Sequence, residues 1–161
     1  NTYAAGDQGG PAVAVGAAGN FVVAWTSAGQ DGSATGVYAQ RYSATGTAQQ
    51  TEFMVNTYTA GSQGGPAAAM DAAGNFVVVW GSYGQDGSGN GVYAQRYSAT
   101  GTAQQSEFLV NTTTTDSQYL PAVAMDANGD FVVSWTSYDV ELNLEDIYAR
   151  QFSAGGAPQG G

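Results

Sequence analysis

The 161-residue chain carries 13 Asp and Glu against 3 Lys and Arg, a formal net charge of −10, with no histidine and no cysteine. That balance argues against nucleic acid and anionic membranes as partners, because affinity for phosphate needs basic side chains that release counterions. Without Cys there is no disulfide or thiolate metal site, and without His or Cys neither Ser–His–Asp nor Cys–His catalysis can be assembled.

No apolar run approaches the roughly 18 residues that span a bilayer, so membrane insertion is not expected. The chain starts at Asn1 without a methionine and reads as a processed product, a fragment or a segment of something longer. Gly, at 24 residues, is abundant, but regular clusters of Val, Phe, Tyr and Trp supply apolar surface to bury, so the chain is expected to fold.

Three copies of one unit follow each other. Trp25, Trp80 and Trp135 stand 55 residues apart, as do Asn1, Asn56 and Asn111, and Pro11, Pro66 and Pro121. The units are 1–55, 56–110 and 111–161, parts of one continuous repeat domain. The first two are closely similar throughout, while the third departs after Trp135.

In the second unit, Pro66–Met70 is a short apolar run opened by a proline, which the first residue of a strand tolerates. Asp71–Asn75 carries turn chemistry. Phe76–Trp80 is β-branched and aromatic on both faces, the pattern of a strand covered on both sides. A Gly, Ser and Asp loop from Gly81 to Gly91 follows. Val92–Tyr97 then alternates, with Tyr93, Gln95 and Tyr97 on one face and Val92, Ala94 and Arg96 on the other. Ser98–Gly101 turns the chain toward a last strand at Glu107–Val110.

The unit is therefore predicted to be a four-stranded antiparallel meander, and the fold class all-β. Tandem sheets stacked face to face, as β-propeller-like blades are, would cover both sides of the second strand. The Ala-rich first strand suits the crowded innermost position. A string of small β-sandwiches, or a β-solenoid, is the alternative. The third unit has counterparts of three strands at Pro121–Met125, Phe131–Trp135 and Ile147–Phe152, and is incomplete, lacking a counterpart of Glu107–Val110. Three blades do not close a ring of about four to eight. Self-association, as a ring or a filament, is thus expected, and a homodimer would supply six blades.

The string GNFVVVWGSYGQDGSGNGVYAQRYSATGTAQQSEFLVNT, residues 74–112, resembles the repeats of very large bacterial secreted and cell-surface proteins. Those share an F-V-V-x-W core followed by G-Q-D-G-S, Y-A-Q-R-[YF] and E-F-x-V-N-T. The resemblance covers essentially the whole chain and implies an extracellular or cell-surface bacterial setting, often beside calcium-binding repeats, with roles in adhesion or extracellular matrix. The units also look distantly like blades of sialidase-type propellers, although SATGTAQQ lacks the tryptophan of their hairpin motif.

Candidate sites follow from residue type. Calcium is the candidate ion: Asp31, Asp86 and Asn90 lie in Gly-rich loops, and Asp126 and Asp130 in the turn between two strands, where short spacings can gather oxygens. The competing reading is that tight turns need Asp, Asn and Gly. The third unit offers Glu141, Glu145 and Asp146 instead. Tyr38, Tyr93 and Tyr148 are candidates for shallow carbohydrate sites that bind surface glycans, against the commoner use of such a stripe in packing.

Arg41 and Arg96 are equivalent, whereas Arg150 falls one residue before the next equivalent position, Gln151. A one-residue offset reverses the face, so the three arginines are not expected to converge. Cross-strand pairing of Arg41 with Glu52 and of Arg96 with Glu107 is expected instead. Near-identical units rarely build the asymmetric site that catalysis needs, so no enzyme is expected. The leading reading is an extracellular structural or adhesive protein that assembles by repeat-to-repeat contacts, and the alternative is a multivalent lectin-like propeller.

Overall fold

The structure, a computed structural model, describes residues 1–160. Each unit forms one four-stranded antiparallel sheet in simple chain order. The first holds β1 (Gln8–Val15), β2 (Phe21–Ala28), β3 (Thr35–Tyr42) and β4 (Ala48–Met54). The second holds β5 (Gln63–Met70), β6 (Phe76–Tyr83), β7 (Asn90–Tyr97) and β8 (Ala103–Leu109). The third holds β9 (Ser117–Met125), β10 (Phe131–Asp139), β11 (Leu144–Phe152) and β12 (Pro158–Gln159).

The turns have local causes. In Asp71–Asn75, Asp71 Oδ1 accepts the Asn75 amide at 2.8 Å, and Gly74 sits at φ 91°, a backbone setting that favours glycine. Register repeats from unit to unit: Phe21 faces Tyr42, Phe76 faces Tyr97 and Phe131 faces Phe152. These cross-strand rings stack at 4.8, 4.9 and 5.0 Å, the kind of pair that pins strand alignment.

Because side chains alternate across a strand, every sheet has two unlike faces. Phe76, Val78, Trp80, Tyr93 and Tyr97 form an aromatic face on the second sheet and pack on Val22, Ala24, Val37 and Ala39 of the first. The opposite, aliphatic face of the second sheet carries Val77, Val79, Val92 and Ala94. It packs on Phe131, Val133, Trp135 and Phe152 of the third. Contacts between successive sheets concentrate on the Ala-rich first strands β1, β5 and β9. The architecture is all-β and blade-like, with the three sheets not closed into a ring.

Strand lengths differ from the expectation. The second strand runs on to Tyr83 and the third begins at Asn90, so the connecting loop is shorter than Gly81–Gly91. The polar ends of these strands pair by backbone alone, which hydrophobic patterning does not reveal. The last strand starts at Ala103 and contains a bulge at Gln105, φ 62°, as its counterpart does at Gln50, φ 65°. The third unit does begin a fourth strand: Gln151 pairs with Gln159 and Phe152 with Pro158.

Candidate functional site

The chemistry of this chain is concentrated at the junctions between units. Asn56 and Asn111 open the second and third units, and both are buried. Asn111 Oδ1 accepts the Val92 amide at 2.7 Å, while its Nδ2 donates to Thr113 O at 2.8 Å and Gln118 Oε1 at 3.1 Å. Asn56 joins Val37, Tyr58 and Gln63 in the same way. Each asparagine thus ties the third strand of one sheet to the first strand of the next. Gln63 and Gln118 are fully buried and spend their second group on Ala60 O and Thr115 O. The 55-residue asparagine period was visible in the sequence, but its glutamine partner seven residues on carried no recognised signal.

The expected Arg–Glu pairs do not form. Arg41 donates to Thr100 O at 2.7 Å and to Ala99 O in the next sheet's turn, and Arg96 donates to Gly155 O at 2.8 Å. Both guanidiniums project from the aliphatic face toward the following unit, away from the strand that bears the glutamates. Burial lowers the pKa of both arginines. Arg150 lies on the other face, as its offset requires, and donates to Val110 O at 3.0 Å.

The glutamates instead close each unit on its own start. Glu107 Oε2 accepts the Thr57 amide at 2.6 Å, and its Oε1 accepts Gln85 Nε2 at 2.7 Å. Glu52 takes Thr2 N and Gln30 Nε2 at 2.6 and 3.0 Å. Burial acts to raise the pKa of Glu52, but the amides of Thr2 and Tyr3 and the Gln30 side chain outweigh it and leave it lowered.

Two of the three carbohydrate candidates are buried: Tyr38 and Tyr93 are 6 % and 7 % exposed, and Tyr93 packs against the first sheet. Burial, then Asp86, Glu107 and Tyr58, pushes the Tyr93 phenol up to about 12; Tyr38 is raised by burial, Asp31, Glu52 and Tyr3. Tyr148 is 51 % exposed; among the described residues β12 pairs only with Gln151 and Phe152, whereas β8 runs beside Tyr93. It borders a shallow cavity lined by Asp116, Tyr138, Asp139, Glu141 and Asp146.

The candidate calcium ligands are dispersed. Asp31 Oδ1 and Asp86 Oδ1 accept the amides of Ser33 and Ser88, closing their turns. Asn90 lies in β7 opposite Tyr83 rather than in the loop. Asp126 Oδ1 accepts from Asn128 and Asp130, and Asp130 Oδ1 accepts from Ala154. Among the described residues no three acidic side chains converge. In both loops, though, two oxygens are buried without a hydrogen-bond partner: Gln30 Oε1 with Asp31 Oδ2, and Gln85 Oε1 with Asp86 Oδ2.

No protein-family model matches the chain, and no curated protein matches it. Its fold is similar to that of an endo-arabinase from Bacteroides thetaiotaomicron, with TM-score 0.59 and 14 % identity over 92 % of this chain and 57 % of that one. A Hadza microbial sialidase gives TM-score 0.67 and 9 % identity over 94 % and 36 %. A Dyadobacter fermentans protein of unknown function gives 0.58 and 18 % over 88 % and 36 %. The chain therefore spans between about a third and just over half of these proteins, and the likeness is one of fold.

Proposed function

We propose that this is an extracellular structural or adhesive repeat protein of bacterial origin, whose copies associate sheet upon sheet into a ring or filament. One observation carries the reading. The aromatic faces of the second and third sheets are buried on the aliphatic faces of the first and second, and the two outermost faces present the same complementary halves, each open to a further sheet. On the first sheet, Val13 and Val15 beside Phe21 and Val23 are each 65 % exposed. On the third, Val132 and Ile147 are 41 % and 76 % exposed. Unlike faces meeting head to tail give heterologous contacts, which close rings or extend fibres.

The secreted setting is supported by the acidic, cysteine-free composition and by the repeat resemblance. The reading assigns no reaction to the chain. Sedimentation over a concentration series tests it. Association is expected, and Val15→Asp or Val132→Asp should each shift the chain toward monomer. A monodisperse monomer at every concentration would refute it.

The second reading, a carbohydrate-binding module for surface glycans, is supported by the fold likeness to an endo-arabinase and a sialidase and by the exposed Tyr148. Glycan-array binding lost on Tyr148→Ala, without self-association, would favour it.

A further inference from the structure

The two junctions between units are not alike, although the strands on either side repeat. At the first, position 16 is a glycine, and the Asn20 side chain reaches across to Met70 Sδ at 3.5 Å. There its Nδ2 lies 3.0 Å from where a Cβ on Gly74 would stand, so Asn20 fills the rim of the junction. Arg41 beside it uses both terminal nitrogens, Nη1 on Thr100 O and Nη2 on Ala99 O.

At the second junction Asp71 stands at the position of Gly16. Its buried carboxylate draws Asn75 back, accepting the Asn75 amide at 2.8 Å and the Asn75 Nδ2 at 2.7 Å. Asn75 Oδ1 accepts Ala99 N at 3.0 Å, so this side chain stays on its own unit. A cavity of about 220 Å³ opens in the rim, between Asn75, Arg96 and Gln104 of the second unit and Met125 and Asn128 of the third. Arg96 Nη1 donates to Gly155 O at 2.8 Å, the counterpart of the Arg41–Thr100 bond. Its Nη2 has no counterpart of the Ala99 bond, and neither Nη2 nor Nε has an acceptor among the described residues.

The lining selects an occupant. Burial disfavours the Arg96 charge and lowers its pKa, and no carboxylate pairs with it among the described residues. A guanidinium with two donors to spare matches a carboxylate, whose oxygens accept both. Asn75, Ser98, Gln104 and Asn128 add uncharged polar groups of the kind that bind hydroxyls. Phe76 and Met125 supply apolar wall for the carbon face of a ring. Asp71, in the same wall, repels a second negative charge, as does the net charge of −10. The volume lies below the roughly 300–1,000 Å³ of drug-sized pockets, so the occupant is small.

We propose that this cavity binds a small hydroxylated monocarboxylate, the class of the uronic acids, with Arg96 holding the carboxylate. Asn75 and Asn128 take ring hydroxyls from either side of the junction. The site lies within the chain, between its second and third units. It uses no outer sheet face, so it stands apart from the assembly reading, and it makes no use of Tyr148.

The test titrates the 161-residue chain with D-glucuronate and D-galacturonate, read by calorimetry and by the side-chain amide NMR signals of Asn75, Gln104 and Asn128. One-to-one binding with a Kd of about 1 mM or tighter is expected for at least one uronate. D-Glucose, acetate and inorganic phosphate should each bind at least about tenfold more weakly, lacking the carboxylate, the hydroxyls or the single charge. Arg96→Lys, which keeps the charge but not the fork, should weaken binding about tenfold, and Arg96→Gln should abolish it. Asp71→Gly, which restores the first junction's arrangement and frees Asn75 to fill the cavity, should also weaken it. Arg41→Gln and Tyr148→Ala should leave it unchanged.

Thermal melts followed by circular dichroism identify which variants stay folded, and the NMR signals locate the site in the parent chain whatever the variants do. No binding of either uronate, acetate or phosphate binding as tightly as a uronate, or shifts confined to other residues would overturn the proposal. So would equal weakening by Arg41→Gln and Arg96→Gln in folded variants. Self-association without uronate binding removes this site and leaves the assembly reading standing, and uronate binding by a strict monomer does the reverse.

Discussion

Replacing Asn111 with alanine tests the idea that the units are tied together by buried polar staples. Asn111 is 3 % exposed, and both of its principal partners, the Val92 amide and the Gln118 side chain, belong to fully buried residues. Asn111→Ala leaves a buried donor and a buried acceptor without partners, at about 1–3 kcal/mol each. The expected loss is about 3–5 kcal/mol, a large share of the ~5–15 kcal/mol that holds a typical domain. The thermal midpoint should fall by about 6–20 °C.

Asn1 provides the control. It makes the same local contacts, to Tyr3 O and Gln8 Oε1, but it is exposed and ties no preceding sheet, so Asn1→Ala should cost under about 0.5 kcal/mol. Urea unfolding followed by tryptophan fluorescence measures both. Since neighbour contacts hold repeat arrays together, Asn111→Ala should also let the third unit melt ahead of the first two. Equal losses for the two variants, or a single unbroken transition at the parental midpoint, would refute the staple.

Two further predictions concern ionisation and cations. The Tyr93 phenol is pushed up to about 12 by burial and by Asp86, Glu107 and Tyr58. A folded-state pKa above the unfolded value of about 10 gives stability that is complete below pH ~10 and lost as pH rises toward 12. Alkaline unfolding should therefore begin in that window, and phenolate absorbance should rise together with loss of circular dichroism; Tyr93→Phe should retain stability to higher pH. For calcium, the unpaired oxygens of Asp31 and Asp86 with Gln30 and Gln85 are the groups to test. Binding there would raise the melting temperature in calcium and lower it in chelator, and an unchanged midpoint would dismiss the cation.

Much of the fold was legible because each unit repeats a strongly patterned strand. Phe76–Trp80 is apolar at every position, which demands cover on both sides, and alternation in Val92–Tyr97 assigns Tyr93 and Tyr97 to one face and Arg96 to the other. Strand periodicity alone puts Arg150 on the face opposite Arg96, and there it donates to Val110 O of the second unit. What the sequence did not disclose were partners reached across a junction. Adjacent strands of one sheet make Glu107 the expected partner of Arg96, yet the acceptor is the Gly155 carbonyl of the next unit. A backbone carbonyl has no residue-type signature. For the same reason the paired, polar ends of strands such as Gln63–Gly65 escaped the hydrophobic pattern.

The unlike faces also explain where the third unit departs from the other two. Its residues that meet the second sheet keep the common pattern: Phe131, Val133 and Trp135 are buried, and Phe152 replaces a tyrosine without changing the stacked pair. On the opposite face, Ser134 stands where Val79 does, Ile147 where Val92 does, and Gln151 replaces the arginine that clamps a following unit. The loop after Tyr138 loses its Gly-Gln-Asp-Gly pattern at the same end. A side chain pressed against a neighbour tolerates little change in volume, whereas one at an uncovered face is nearly free. Val132, Ile147 and Ala149 nonetheless keep apolar character on a face that no described unit covers.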